Sequence, residues 1–421
     1  MNTATLPTAV DTYLSDNREE LFQFVETLVG YDTQNPPGST VDVVEWIEGQ
    51  VAEPELSVER FAVDPQKPNL LVTVPGASDR TLCFNGHLDT VPFDERDWSH
   101  DPLGERDGDC LYGRGTTDMK GAVAAMLQVA LAYARTETEP PVTLQFAFVS
   151  DEETGGDAGL STLFETETFD PTACIVGETT SRNGRYSVSV ADRGNIWLTL
   201  EAAGTAAHGS RPMIGENAID RLVGAVEQLR AEFGEQELTV DATMEDIIEE
   251  SVGFYEPEAG GEATRNLYRC PTINFGIIEG GTAINTVPAS ACGRVDIRLT
   301  ASIDTEDALS GIRNCLNGLN GIEVTDVSWT RGTYETLDEP IVEASATAAE
   351  RVVDARVYRR SATGGGDAKA FRHEGVSTVE FGFGTQTAHG TDEHTTEQAL
   401  TRNVTSYALV PHLYSEYQDE A

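Results

Sequence analysis

His87, Asp89, Asp118, Glu152, Glu153, Glu178 and His389 are the residues of this chain whose types and placement suit chemistry. Most lie where an apolar, strand-like run gives way to a Gly-rich turn: G-H-L-D-T-V-P (86–92), R-G-T-T-D-M-K-G (114–121), S-D-E-E-T-G-G (150–156), I-V-G-E-T-T (175–180) and T-A-H-G-T-D-E (387–393). Carboxylates and neutral imidazoles are the donors a borderline-soft divalent ion such as zinc takes. Strand ends are where an α/β sheet gathers its active site. The combination points to a metal-dependent hydrolase.

The elements that must position these residues alternate. Residues 17–30 have helical spacing, Asn69–Val74 and Thr81–Gly86 read as strands, and Met119–Arg135 is an Ala-rich helix apolar all round. Val142–Ser150 and Ala173–Gly177 are further strands, so the order predicts a parallel or mixed sheet with helices on both faces. Past Glu178 the pattern becomes strands, helix (Gly215–Phe233), strands (Thr272–Ile278 and Ala289–Thr300), helix (Asp304–Leu319) and strand (Ile322–Trp329). That is a self-contained α+β unit. Helix–strand alternation returns with Pro340–Val353, Ser377–Phe381 and Glu397–Tyr414. The expected organisation is a doubly wound α/β domain (1–184 and 331–421) interrupted by a smaller α+β domain (185–330). The connection from Glu237 to Arg269 is long, polar and Gly-rich in its second half, and reads as a functional or mobile loop.

Composition narrows the function classes. The chain has 421 residues, enough for two cores, and carries 71 Asp+Glu against 28 Lys+Arg, a formal net charge of −43. Only Lys67, Lys120 and Lys369 are lysine. Regular apolar periods argue against disorder, and the acidic, lysine-poor surface reads as salt adaptation, with self-repulsion relieved by screening. Such a surface excludes nucleic acid and anionic membrane as partners. The cysteines (Cys83, Cys110, Cys174, Cys270, Cys292, Cys315) show no C-x-x-C spacing and read as small hydrophobes in a reducing compartment. No signal-like N-terminus and no apolar run near about 18 residues is present, so a cytoplasmic location is expected.

Taken singly, the site residues have ordinary explanations. His87 can be a polar core residue, Asp118 a helix N-cap, and His389 a surface histidine. Acid pairs such as Glu152-Glu153 are common in this chain (Glu19-Glu20, Glu249-Glu250). Jointly they supply two imidazoles and three ligating carboxylates, which suits two divalent ions bridged by one acid. The positive charges of two Zn²⁺ are matched by three carboxylates and a hydroxide, a set able to generate a nucleophile near pH 7. Asp89, one residue beyond His87, has the spacing of a carboxylate orienting a ligating imidazole.

The order of these segments resembles the acetylornithine deacetylase / succinyl-diaminopimelate desuccinylase family, which also holds carboxypeptidase G-type enzymes and dipeptidases. The resemblance covers essentially the whole chain. It implies a first metal held by His87, Asp118 and Glu178 and a second by Asp118, Glu153 and His389. Glu152 would be the general base, Asp89 the orienter of His87, and a cis peptide would join Asp118 to Met119. Zinc is the implied metal, with cobalt or manganese as substitutes. His394 rivals His389, but the family's ligand precedes an acidic pair, as His389 precedes Asp392-Glu393.

The same resemblance assigns the interrupting domain to a ferredoxin-like dimerisation role. Within G-T-A-A-H-G-S-R-P-M-I-G-E-N-A (204–218), His208 would reach a partner subunit's site in a homodimer and stabilise the oxyanion. E-G-G-T-A-I-N-T-V-P (279–288) offers Asn285 to substrate, and V-D-I-R (295–298) offers Arg298 either to a substrate carboxylate or to a cross-strand salt bridge. T-G-G-G-D-A-K-A-F (363–371) departs from the family's Gly-rich substrate loop, with Gly366 in place of Thr and Lys369 in place of Arg. The implied activity is deacylation of an N-acyl amino acid. The alternatives are a dipeptidase or carboxypeptidase on the same site and, more remotely, a non-catalytic metal- or amino-acid-binding protein.

Overall fold

The computed structural model describes residues 4–420, which divide into two compact units. The first comprises Met1–Val190, Glu335–Arg360 and Gly366–Ala421; the second comprises Ala191–Tyr334 and Ser361–Gly365.

In the first unit a mixed sheet runs in the order Ser57–Phe61, Asn69–Val74, Thr143–Val149, Thr81–His87, Ala173–Val176, Ser377–Glu380 and Tyr186–Asp192. The four strands from Thr143–Val149 to Ser377–Glu380 are mutually parallel and their flanking neighbours antiparallel. Strands buried on both faces read as continuous apolar runs, as A-C-I-V does and as L-C-F does within Thr81–His87 before Asn85 and His87. Parallel register lines up the carboxyl ends: His87 pairs with Val149, and Asn85 with Val176. The turns after these strands therefore open at one edge of the sheet.

Helix Lys120–Arg135 lies on the sheet with Lys120–Ala134 entirely buried, as its all-round apolar sequence predicts. Its approach explains the glycines that precede two of the chemical residues. A Cβ on Gly86 would stand 2.9 Å from Val123 Cγ2, and one on Gly177 would stand 2.6 Å from Met126 Cε. A Cβ at either site would force this helix's residues to shift, at Gly177 including Ala122 Cβ at 2.9 Å, so the G-H and G-E pairs record close packing of the helix whose N-terminal loop carries Asp118. Lys120 is buried at that end and donates to the Tyr31 carbonyl at 2.8 Å. Burial brings its ammonium down to about 7.

The second unit is a four-stranded antiparallel sheet in the order Thr272–Gly280, Ser290–Leu299, Gly194–Ala203, Ile322–Thr330. Helices Ala218–Leu229 and Thr305–Leu316 are capped by Asn217 and Asp304 and pack their apolar stripes on one face. The chain order β-α-β-β-α-β with this strand order is the ferredoxin-like arrangement.

One sequence expectation fails here. The 237–269 connection is a pair of helices, Ala242–Ala259 and Gly261–Arg269, rather than a loop. Asp241 caps the first by accepting from the Met244 N–H at 2.8 Å. Met244, Ile247, Ile248, Val252 and Phe254 then recur at helical spacing and are buried. The polar, Gly-rich second half concealed that stripe. All six cysteines are free. Among the described residues no helix is long and apolar enough to cross a membrane.

Candidate metal centre

Each of the four parallel strands delivers its chemistry from its carboxyl end. Thr81–His87 ends on His87, Thr143–Val149 leads to Glu152 and Glu153, Ala173–Val176 leads to Glu178, and Ser377–Glu380 leads to the loop bearing His389. Asp118 joins them from the loop before the buried helix, through a cis Asp118–Met119 peptide.

The side chains form two triads that share one carboxylate. His87 Nε2 lies 3.2 Å from Asp118 Oδ1 and 3.3 Å from Glu178 Oε1. His389 Nε2 lies 3.0 Å from Asp118 Oδ2 and 3.4 Å from Glu153 Oε2. Ligand atoms of His87, Asp118 and Glu153 fall within 4.8 Å of one another. Each triad thus offers one imidazole nitrogen and two carboxylate oxygens, a donor set suited to a divalent ion. Glu153 Oε1 is buried with no hydrogen-bond partner, as expected of an oxygen awaiting a cation.

Electrostatics agree with that reading. Burial and the neighbouring Asp118 charge push the Glu178 carboxyl up to about 7. Asp118 and Glu153 hold the exposed His389 imidazolium up to about 10. Burial opposes charge on both His87 and Asp118. The surrounding acids nonetheless raise His87, and the two imidazoles lower Asp118. The shifts show acids and imidazoles close enough to hold one another's charge, a field that favours a cation among them.

Glu152 belongs to neither triad. Burial, then the acids Asp367, Glu178 and Glu153, raise its carboxyl well above the ordinary range despite His87. A Cβ on Gly366 would stand 3.0 Å from Glu152 Oε1, so the glycine leaves room for this side chain.

Asp89 is buried, and His87 Nδ1 sits 2.9 Å from its backbone carbonyl. The Asp89 carboxylate is 3.6 Å from the ring, too far for a hydrogen bond. It accepts instead from the N–H groups of Glu152 (3.1 Å) and Glu153 (3.2 Å) and from Asn35 Nδ2 (2.8 Å). Asp89 therefore anchors the turn carrying both glutamates. Asn35 Nδ2 also reaches Asp151 Oδ1 at 2.9 Å, and Lys67 pairs with the same carboxylate. Asn35, Lys67 and Asp151 are supports the sequence reading missed. Their only local signal is that Lys67 is one of three lysines.

His394 lies outside the cluster: its Nδ1 faces the Asp392 carbonyl at 3.0 Å, and its ring lies against Tyr112. His208, Asn285 and Arg298 belong to the second unit. His208 pairs with Thr286 across a two-residue ladder, with its Nδ1 2.8 Å from Ser210 Oγ, and the Asn285 carbonyl accepts from Gly209 N–H at 2.6 Å. The ladder brings His208 and Asn285 together, both exposed. Arg298 Nε donates to Asp296 Oδ1 at 2.8 Å, an ion pair along its own strand.

Two imidazole–carboxylate triads sharing an aspartate at the carboxyl edge of a mixed α/β sheet define a metallohydrolase. The chain belongs to peptidase family M20/M25/M40, whose model matches residues 83–412, and it is accordingly a metal-dependent hydrolase. It is 29% identical over 340 residues to a succinyl-diaminopimelate desuccinylase of Xanthobacter autotrophicus, covering 78% of this chain and 81% of the relative. A probable succinyl-diaminopimelate desuccinylase of Staphylococcus epidermidis is 24% identical over 382 residues, covering 88% and 90%. Among solved structures, an M20-family metallo-carboxypeptidase from Sulfolobus solfataricus superposes with a TM-score of 0.75 at 18% identity, covering 94% of this chain and 99% of that one.

Proposed function

We propose that the chain is a di-metal deacylase that cleaves the amide of an N-acyl amino acid, with an N-succinyl- or N-acetyl-diamino acid as the first candidate. The observation that carries this reading is the pair of triads sharing Asp118, with Glu152 beside them but outside both. His87, Asp118 and Glu178 would hold one ion and Asp118, Glu153 and His389 the other, with zinc favoured by the mixed imidazole and carboxylate set and cobalt or manganese able to substitute. When bound, the ions lower the pKa of a water and polarise the scissile carbonyl. Glu152 takes the proton of the attacking water and delivers it to the leaving amine nitrogen. Asp89 fixes the turn from which Glu152 acts. His208 of a second subunit in a homodimer donates to the tetrahedral oxyanion, and Asn285, Arg298 and the Gly366 loop bind the rest of the substrate.

The desuccinylase relatives support the deacylase over a peptidase, whereas the carboxypeptidase fold neighbour keeps a dipeptidase or carboxypeptidase as the second reading. Assay of N-succinyl-diaminopimelate, N-acetylornithine and a dipeptide series in molar KCl separates them. The deacylase requires higher kcat/KM on an acylated diamino acid than on any dipeptide, and the reverse order establishes the peptidase.

The net charge of −43 supports a salt-adapted protein. The screening length grows from about 3 Å at 1 M salt to about 30 Å at 0.01 M, so repulsion among surface carboxylates becomes long-ranged on dilution. Dialysis from molar to millimolar KCl is expected to abolish the far-ultraviolet circular dichroism of the fold. An unchanged spectrum rules out the adaptation.

A further inference from the structure

The geometry points to Glu393 as the positioning residue of the metal centre: its carboxylate fixes the loop that carries Asp118 relative to the loop that carries His389. The inference rests on the metal-centre reading above.

Glu393 is fully buried, four residues after His389. Its Oε1 accepts from the backbone N–H groups of Thr117 (3.0 Å) and Asp118 (3.1 Å). Oε2 accepts from Arg114 Nη1 (2.6 Å) and the Gly115 N–H (3.1 Å). Its own carbonyl accepts from the Gly113 N–H at 2.8 Å. Residues 113–118 thus wrap around one glutamate. Just beyond it, His394–Thr396 pairs antiparallel with Cys110–Tyr112, so the two loops leave a common ladder. Arg114 Nη2 also approaches the His389 carbonyl at 3.5 Å.

A carboxylate offers about four lone-pair sites, and all four here are taken by protein donors. Glu393 therefore has nothing left for a cation; it acts through Asp118 and His389. An ordinary buried ion pair would need only Arg114. Three of the four side-chain bonds come instead from backbone amides of the segment ending at the shared ligand. A glutamine could match at most one oxygen's share, and its NH₂ would face N–H donors. The peptides of Gly115–Asp118 would then turn away, and the Asp118 carboxylate with them.

Glu393→Gln, purified in molar KCl, tests this by competition for Zn²⁺ between the protein and a chelator. Loss of an outer support typically weakens metal binding about 10–100-fold. The expected result is that the variant stays folded by circular dichroism and that at least one of the two Zn²⁺ equivalents held by wild type weakens by that factor. Two equivalents held as tightly as in wild type would overturn the role. Arg114→Met/Glu393→Gln removes the guanidinium left unpaired by the single change and replaces that variant if it fails to fold. A folded double variant with weakened Zn²⁺ supports positioning through the backbone amides. One with wild-type Zn²⁺ affinity reduces Glu393 to half of a stabilising pair and overturns the proposal. Wild type holding no Zn²⁺ would defeat the metal-centre reading itself, an outcome distinct from wild type and variant binding alike.

Discussion

Glu152→Gln is expected to lower kcat by about 10²–10⁴-fold, the usual contribution of a positioned general acid–base, while metal content stays at the wild-type value. The substitution keeps size and shape. It leaves the backbone N–H of residue 152 on Asp89, because that bond does not involve the side chain. Both imidazoles keep their carboxylate partners, since His87 faces Asp118 and Glu178 and His389 faces Asp118 and Glu153. What disappears is the ability to accept a proton and return it. Metal analysis after desalting, beside turnover, makes the test specific. Loss of an ion together with activity would move Glu152 into the ligand set, and undiminished turnover would remove it from the reaction.

The placement of these side chains was legible because chemistry on a doubly wound sheet sits at strand ends, and strand ends are visible as apolar runs broken by glycine. The residues flanking such breaks (His87, Glu152, Glu153 and Glu178) needed no knowledge of distant contacts. Gly86 and Gly177 carried further information, since each admits the helix that presents Asp118. The supports were a different matter. Asn35 meets Asp89 across 54 residues of sequence, and Arg114 meets Glu393 across 279, in turns with no periodic pattern. No local rule pairs them, because their partners are set by how the strands order in the sheet. Asp89 illustrates the limit: its spacing from His87 suggested a bond to the imidazole, yet its carboxylate reaches the 152–153 turn, which parallel pairing brings alongside. The 242–269 helices were missed for the opposite reason. Their apolar stripe is local and readable, but it is diluted by an acidic sequence and ends in glycines that read as loop.

Asp118→Asn is expected to cost at least one of the two ions, because the two oxygens of Asp118 are divided between the triads. Oδ1 faces His87 and Oδ2 faces His389, at 3.2 and 3.0 Å. An asparagine keeps one oxygen at best and turns an NH₂ toward the other imidazole, where it repels a cation and contributes no lone pair. One negative charge is also lost. Metal retained after desalting should fall from two equivalents to one or none, and kcat/KM by at least about 10³-fold, since metal ions contribute several kcal/mol of charge stabilisation and each 1.36 kcal/mol is tenfold. A proton-linked readout tests the same geometry without turnover. Asp118 is the first cause of the high His389 pKa in the metal-free protein, followed by Glu153, with burial opposing. His389 is then protonated at pH 7, metal binding must displace that proton, and affinity rises with pH toward about 10. Removing the Asp118 charge should lower the His389 titration seen by NMR in metal-stripped protein. An Asp118→Asn variant that keeps two ions and an unshifted His389 would show that the carboxylate does not bridge, and the two-triad centre would have to be redrawn around separate ligands.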